Sequence, residues 1–376
     1  MQFELASPAD EPQLRGLLRE VTLPGAIELS LEREPCINFA NAVEGTPHHT
    51  IVARATAEEA IVAMGSRTIA RRYINGEATS VAYLGQLRVA RQARANPALL
   101  RGGYALLKSI HDAASVPWSF TTIVSDNRAA RRVLEAGMRG LPSYEPVDEL
   151  VTAMLPVAAR RVQRMTSSLQ AAPATPADVD DIVACLNRNA RRYQFSRVWT
   201  REDLLCPERT RGLELTDFSI VRSNDTVVGC LACWDQRSFK QAVVRNYSRR
   251  LAGLRPLHNL LAGVTGAPQL PRIGTTVPFA WLSHLAVDDD DPTILPALLA
   301  GALQRARARS LEYVSLDLSS QNSYIPLIKK YFSPREYRSR LYVVRWPETG
   351  TAAGTAKAGT AAALDGRICH PEAATL

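Results

Sequence analysis

The chain has 376 residues, 46% of them hydrophobic, and a net charge of +8 at neutral pH. That length accommodates two domains with sizeable cores. No apolar run reaches the roughly 18 residues of a membrane helix, and the polar start MQFELASPADEP lacks an apolar signal core, so a cytoplasmic protein with no membrane partner is expected. The excess positive charge favours acidic partners, namely coenzyme phosphates, an acidic substrate or nucleic acid.

In chain order, apolar periodicity predicts strand 2–6, helix 8–21, a helix near 34–44, strands 48–55, 60–74 and 80–89, helix 97–114, strand 119–124, helix 127–137 and a strand near 149–155. A second series comes after it: strand 169–174, helix 176–192, strands 217–222, 226–235 and 279–287, helix 292–309, strand 312–318, helix 322–331 and strand 338–346. The two series echo each other. Ala6-Ser7-Pro8-Ala9-Asp10 returns as Ala174-Thr175-Pro176-Ala177-Asp178, with Ser7 and Thr175 as helix N-caps and proline at the first helical position. AYLGQLRV at 82–89 returns as AWLSHLAV at 280–287. The first echo is spaced by 168 residues and the second by 198, which places an insert of about 30 residues in the second copy, from Arg237 to roughly Phe279.

The expected organisation is therefore a first domain over 1–156, a linker over 157–173, a second domain over 174–346 with a basic insert at about 237–279, and a disordered tail over 347–376 that is rich in Ala, Gly and Thr. The six cysteines (Cys36, Cys185, Cys206, Cys230, Cys233, Cys369) are scattered and suit a reducing compartment. Cys230 and Cys233 lie three apart on a strand, so their thiols point to opposite faces and no metal is expected.

The chemistry-bearing residues lie in the first copy. Leu87-Arg88-Val89 ends a strand and leads through Arg94-Ala95-Asn96-Pro97-Ala98-Leu99 into a helix. From Arg88 to Lys108 there are five basic residues and no acidic one. After the next strand comes Asn127-Arg128-Ala129-Ala130, where Asn127 caps a helix and Ala130 is small.

These segments resemble the signature of the GNAT acetyltransferases, in which a Leu-x-Val strand opens into an Arg/Gln-x-x-Gly-x-Gly/Ala loop and an Asn-x-x-Ala-x-x-Leu-Tyr motif comes later. The resemblance implies an α/β protein of two tandem acyl-CoA N-acyltransferase domains, each a mixed, splayed central sheet flanked by helices. It implies acetyl-CoA or another acyl-CoA as co-substrate, an amine acceptor that the charge allows to be acidic, and direct acyl transfer. By it, the coenzyme contacts fall on Leu87, Val89, Arg94, Ala95, Asn96, Ala98, Leu99, Asn127 and Ala130. A non-catalytic acyl-CoA-binding or regulatory protein is the alternative, and nucleic acid is the less favoured partner.

Two departures matter. The loop glycines are absent, and Leu134 stands where the family has the tyrosine that protonates the departing thiolate, so no catalytic residue is assigned. In the second copy, Asp288, Asp289, Asp290 and Asp291 occupy the corresponding loop and would repel a pyrophosphate. His284, the counterpart of Gln86, reads as a buried histidine rather than a base, and Tyr324 and Tyr331 read as core.

Overall fold

The computed structural model describes residues 1–55, 60–94, 96–157, 169–265, 268–346 and 363–376. The first half comprises β1 (Gln2–Leu5), α1 (Glu11–Glu20), β2 (Ile27–Glu32), α2 (Ile37–Glu44), β3 (His48–Arg54), β4 (Ile61–Ile74), β5 (Glu77–Val89), α3 (Pro97–Ala113), β6 (Trp118–Val124), α4 (Arg128–Leu134) and β7 (Ser143–Pro156). The second half comprises β8 (Ala172–Pro173), α5 (Val179–Ala190), α6 (Arg201–Leu205), β9 (Phe218–Ser223), β10 (Thr226–Trp234), β11 (Gln241–Tyr247), α7 (Arg249–Thr265), β12 (Phe279–Val287), α8 (Ile294–Ala308), β13 (Tyr313–Ser319), α9 (Tyr324–Tyr331) and β14 (Arg335–Arg345).

The repeated Ser/Thr-Pro-Ala-Asp motifs fold alike. The Ser7 N–H donates to Asp10 Oδ2 at 2.8 Å, and the Thr175 N–H to Asp178 Oδ2 at 2.7 Å. The Ser7 and Thr175 hydroxyls bond the same carboxylates. This reciprocal capping satisfies donors that a helix start would leave unpaired. α1 and α5 then bury one apolar stripe each, Leu14, Leu17 and Leu18 in one case and Val179, Ile182 and Leu186 in the other. Each such leucine or isoleucine removed from water contributes about 1.5–3 kcal/mol.

Twelve strands form one mixed sheet in the order β1-β3-β4-β5-β6-β14-β7-β13-β12-β10-β9-β8. The last strands of the two halves have changed places. β7 pairs with β13 of the second half, from Tyr313↔Pro156 to Ser319↔Leu150, and β14 pairs with β6 of the first, from Ser339↔Val124 to Val343↔Phe120. β7 and β14 also pair with each other, so the sheet runs unbroken through the middle of the molecule. A cut in sequence at 156 therefore does not coincide with a gap in the sheet.

Two other segments differ from expectation. Residues 27–32 form a strand, β2, that pairs with β11 of the insert. The insert is thereby tied to the first half. Residues 363–376, expected to be part of a disordered tail, pack into the fold: Cys369, Ala374 and Thr375 are buried, and the Gln194 and His370 N–H groups bond the carbonyls of Ile368 and Gln194. The rest of that tail and most of the expected linker lie outside the described residues.

Candidate functional site

β5 and β6 pair in parallel only from Val81↔Trp118 to Tyr83↔Phe120. Beyond Tyr83 they part. Gln86 adopts a left-handed conformation, φ +53°, and one extra β5 residue is bulged out against β4 between Gly85↔Ser66 and Arg88↔Met64. The β5 edge facing β6 is thus left without a strand partner. A cavity of about 480 Å³ opens at this point.

The cavity passes from one face of the sheet to the other. Leu84 packs with Tyr104 and Leu107 of α3 on one face, while Tyr83 stacks on Phe120, and Phe120 on Phe195, on the other. Of the residues expected to meet a coenzyme, Leu87, Leu99, Asn127 and Ala130 line the cavity together. Asn127 caps α4, its side chain accepting from the Ala130 N–H at 3.1 Å.

The remaining expected contacts fall elsewhere. Val89 packs against the core. Ala95 lies outside the described residues. Arg94 is exposed, with Nε donating to the Val89 carbonyl at 3.3 Å. Asn96 caps α3: its side chain accepts from the Ala98 N–H at 3.0 Å, and its carbonyl from the Leu99 N–H at 3.2 Å. The Ala93 and Asn96 N–H groups bond the carbonyls of Ala90 and Ala93. The N–H groups of Ala93, Arg94, Asn96, Ala98 and Leu99 are therefore bonded within the loop and helix start, and the basic side chains nearby in sequence are Arg91, Arg94 and Arg101. These three form no ion pair among the described residues.

The opposite face supplies residues that sequence reasoning missed. Asp317 of β13 lines the cavity and is buried, 5% exposed. Thr152 Oγ1 donates to its Oδ1 at 2.9 Å, and Oδ2 has no partner. Burial pushes its carboxyl up to about 7; the Thr152 bond opposes this and the nearby charge of Asp148 adds to it. The signal was present as the alternation Ser315, Asp317, Ser319 opposite Val314, Leu316, Leu318.

Where β2 and β11 end, Arg33 and Lys240 meet over buried Glu44. Arg33 is ion-paired to Glu44 and donates to Asn41 Oδ1 at 2.8 Å; Lys240 Nζ stands 3.3 Å from Glu44 and donates to the Leu376 main-chain oxygen at 2.9 Å. Burial lowers Lys240 to about 8 against the pull of Glu44. Burial opposes ionisation of Glu44, but the charges of Arg33 and Lys240 outweigh it and hold that carboxyl below its ordinary value. In the rest of the insert, Arg237 pairs with Asp235 and Arg245 with Glu32, so its basic run is partly neutralised.

Leu134 is buried in the cavity wall, in one cluster with Tyr104 and Tyr144. The two tyrosine hydroxyls bond each other, and burial raises Tyr104 to about 12. Phenols thus stand beside the position where the first-copy motif has leucine.

The second copy has the same opening. β12 and β13 pair in parallel only from Phe279↔Tyr313 to Trp281↔Ser315, and His284 has φ +56°. Here residues 370–374 fill the gap, and the His284 N–H donates to Glu372. The His284 ring lies against Trp199, Phe218 and Trp234; burial lowers it to about 4, so it is neutral. Asp288 is taken up by Arg188 and Asn189, and Asp290 by Arg192 and Tyr193. Two of the four aspartates of the acidic loop are thus ion-paired within the chain, and Asp291 accepts from Thr293. Cys230 and Cys233 are buried in separate core clusters. Among the described residues, no helix is long and apolar enough to cross a membrane, and no group of three His, Cys, Asp or Glu side chains is placed to hold a metal.

Two half-sheets with matching left-handed bulges, and parallel strands whose pairing ends three residues before them, specify the architecture. The chain has a GNAT-type fold. Solved structures agree. N-myristoyltransferase from Saccharomyces cerevisiae with bound myristoyl-CoA is 13% identical, covers 91% of this chain and 82% of its own, and superposes with a TM-score of 0.59. A GCN5-related N-acetyltransferase from Sphaerobacter thermophilus is 14% identical, covers 91% and 94%, and gives 0.54. No family model matches the chain, and no curated protein matches it in sequence. The GNAT likeness is therefore one of fold.

Proposed function

We propose that the protein is an acyl-CoA-dependent N-acyltransferase that binds its coenzyme in the first half and transfers the acyl group directly to an amine. The observation that carries this reading is the cavity at the parting of β5 and β6. It joins Leu99, Asn127 and Ala130 on one face to Asp317 on the other through an unpaired strand edge. The acyl-pantetheine arm enters from the side of α3 and α4, where Ala130 leaves room and Arg91, Arg94 and Arg101 meet the phosphates. The amine enters from the side of β2, β11 and the C-terminal segment.

In this arrangement Asp317 takes the amine proton, and the amine nitrogen attacks the thioester carbonyl. The N–C bond forms, the C–S bond breaks, and N–H groups of the free β5 edge stabilise charge on the carbonyl oxygen. Tyr104 and Tyr144 supply the phenol nearest to the departing sulfur, in place of Leu134. Acetyl-CoA is the smallest donor this site takes. Release of free thiol from acetyl-CoA and longer acyl-CoAs, with a panel of primary amines, tests the reading and sets the acyl length.

A second reading, an acyl-CoA-binding protein without turnover, is favoured by the internally bonded N–H groups of Ala93, Arg94, Asn96, Ala98 and Leu99 and by Leu134. It predicts acyl-CoA binding with no thiol release for any amine.

A further inference from the structure

Arg88 stands past the β5 bulge, on the Tyr83 face. Tyr83 pairs with Thr68 and Arg88 with Met64, four residues apart along β4, so both side chains leave the same side of the sheet. This is the face on which Arg33, Lys240 and Asp317 line the cavity. Nη1 of Arg88 donates to the Leu87 carbonyl at 3.0 Å, whereas its Nε is buried with no acceptor. No carboxylate pairs with Arg88 among the described residues. Of the carboxylates that line the cavity, Glu32 is ion-paired to Arg245, and Asp317 accepts from Thr152 through Oδ1 alone; neither is paired to Arg88. Arg33 and Lys240 share Glu44. The charges of Arg33 and Arg88 oppose each other, as do those of Arg33 and Lys240.

Arg33 and Lys240 thus divide one buried carboxylate between them, with Lys240 also bonded to the Leu376 oxygen, and Arg88 is the cation of this wall that no carboxylate meets among the described residues. An enclosed cation without an anion is costly, and the imbalance is relieved when an anion enters. We infer that this wall holds an anionic group of the acceptor, so that the substrate is a small primary amine bearing a carboxylate or a phosphate, gripped by Arg88 with Lys240 and Arg33 behind it. The inference rests on the reading that this half of the cavity is the acceptor's. Arg88 presents a planar fork suited to either anion. The cavity of about 480 Å³, lined here by Glu32 of β2, Lys240 and Gln241 of the insert, and Leu376, has room for a small molecule.

The test uses three amines that share an aminoethyl body: β-alanine, O-phosphoethanolamine and ethanolamine. Each is titrated by calorimetry into the full, coenzyme-free chain. At least one anionic amine is expected to bind roughly ten- to a hundredfold more tightly than ethanolamine, the range of one charge-assisted hydrogen bond, and the carboxylate and phosphate arms tell which anion is preferred. Arg88→Gln is expected to erase the preference to within about twofold. Arg88→Lys keeps the charge without the fork and is expected to retain part of it. Thermal melting checks that each variant folds, and Lys240→Met gives a second reading if Arg88→Gln does not. Equal affinities, no binding by any arm, or a preference unchanged in these variants overturns the inference. Acetyl-CoA is titrated separately. Its failure to bind overturns the coenzyme reading while leaving an anion preference at Arg88 measurable.

Discussion

Gln86 and His284 adopt the same left-handed backbone, φ +53° and +56°, at corresponding points of β5 and β12. A non-glycine residue holds that conformation only where its surroundings compensate. In both places it turns the strand away from its parallel neighbour. The two openings then diverge. Gln86 borders an open cavity, whereas the His284 N–H is met by Glu372 from the C-terminal segment. One opening is available to a ligand and the other is filled by the chain itself.

Glu372→Ala leaves the buried His284 N–H without an acceptor, and about 1–3 kcal/mol of stability should be lost. Glu372→Gln, which keeps an acceptor, should lose less. Urea unfolding checks this. Unchanged stability in Glu372→Ala would show that the segment does not hold the second opening closed.

Asp317→Asn should lower kcat by roughly 10²–10⁴-fold, the usual contribution of a positioned base. In the unaltered protein the rate should rise with pH through about 7, where Asp317 loses its proton, and the variant should lack that limb. The effect on stability has a defined sign. The folded state keeps the Asp317 proton up to about 7 while the unfolded chain sheds it near the ordinary 3.8, so this group makes stability fall as pH rises between those values. Asp317→Asn should flatten that part of the pH–stability curve.

His48 and His284 act in the opposite sense. Burial holds both at about 4, below the ordinary 6.5. Their stabilisation is complete above 6.5 and is lost as pH falls towards 4, because only the unfolded chain takes up the protons. Each should add a slope of about 1.4 kcal/mol per pH unit inside that window. Melting curves from pH 7 to 4 measure it, and His284→Gln should remove one proton's share.

Tyr104→Phe or Tyr144→Phe leaves the other buried hydroxyl unpaired, at about 1–3 kcal/mol. The double variant removes both partners and should cost less than the sum, a coupling that a double-mutant cycle reads directly. For the reaction, the double variant should lower kcat more than either single one. Equal kcat in all four proteins would remove the pair from the chemistry.

What the sequence disclosed and what it hid divide along physical lines. The capping boxes at Ser7 and Thr175 and the Leu-x-Val strands were legible because caps and strand alternation are local. The exchange of β7 and β14 was not, because the choice of antiparallel partner is settled by non-local packing. The order of 363–376 was hidden too, because the segment is held by main-chain bonds and a few buried residues, Cys369, Ala374 and Thr375, which have no periodicity. Among the candidate site residues, Leu87, Leu99, Asn127 and Ala130 line the cavity. Val89, Arg94, Asn96 and Ala98 do not, since Asn96 caps α3 and takes the donors that a glycine loop would leave free. Asp317 sat in a visible polar alternation, yet only the sheet order shows that its strand is central.

Calorimetric titration with acetyl-CoA of the unaltered protein, Arg94→Glu and Ala130→Trp tests whether the parting of β5 and β6 holds the coenzyme. One site per chain is expected, weakened when Arg94 is reversed in charge and abolished when tryptophan fills the gap beside Asn127. Absence of binding, two equivalent sites, or full affinity in Ala130→Trp would contradict a coenzyme site between β5 and β6.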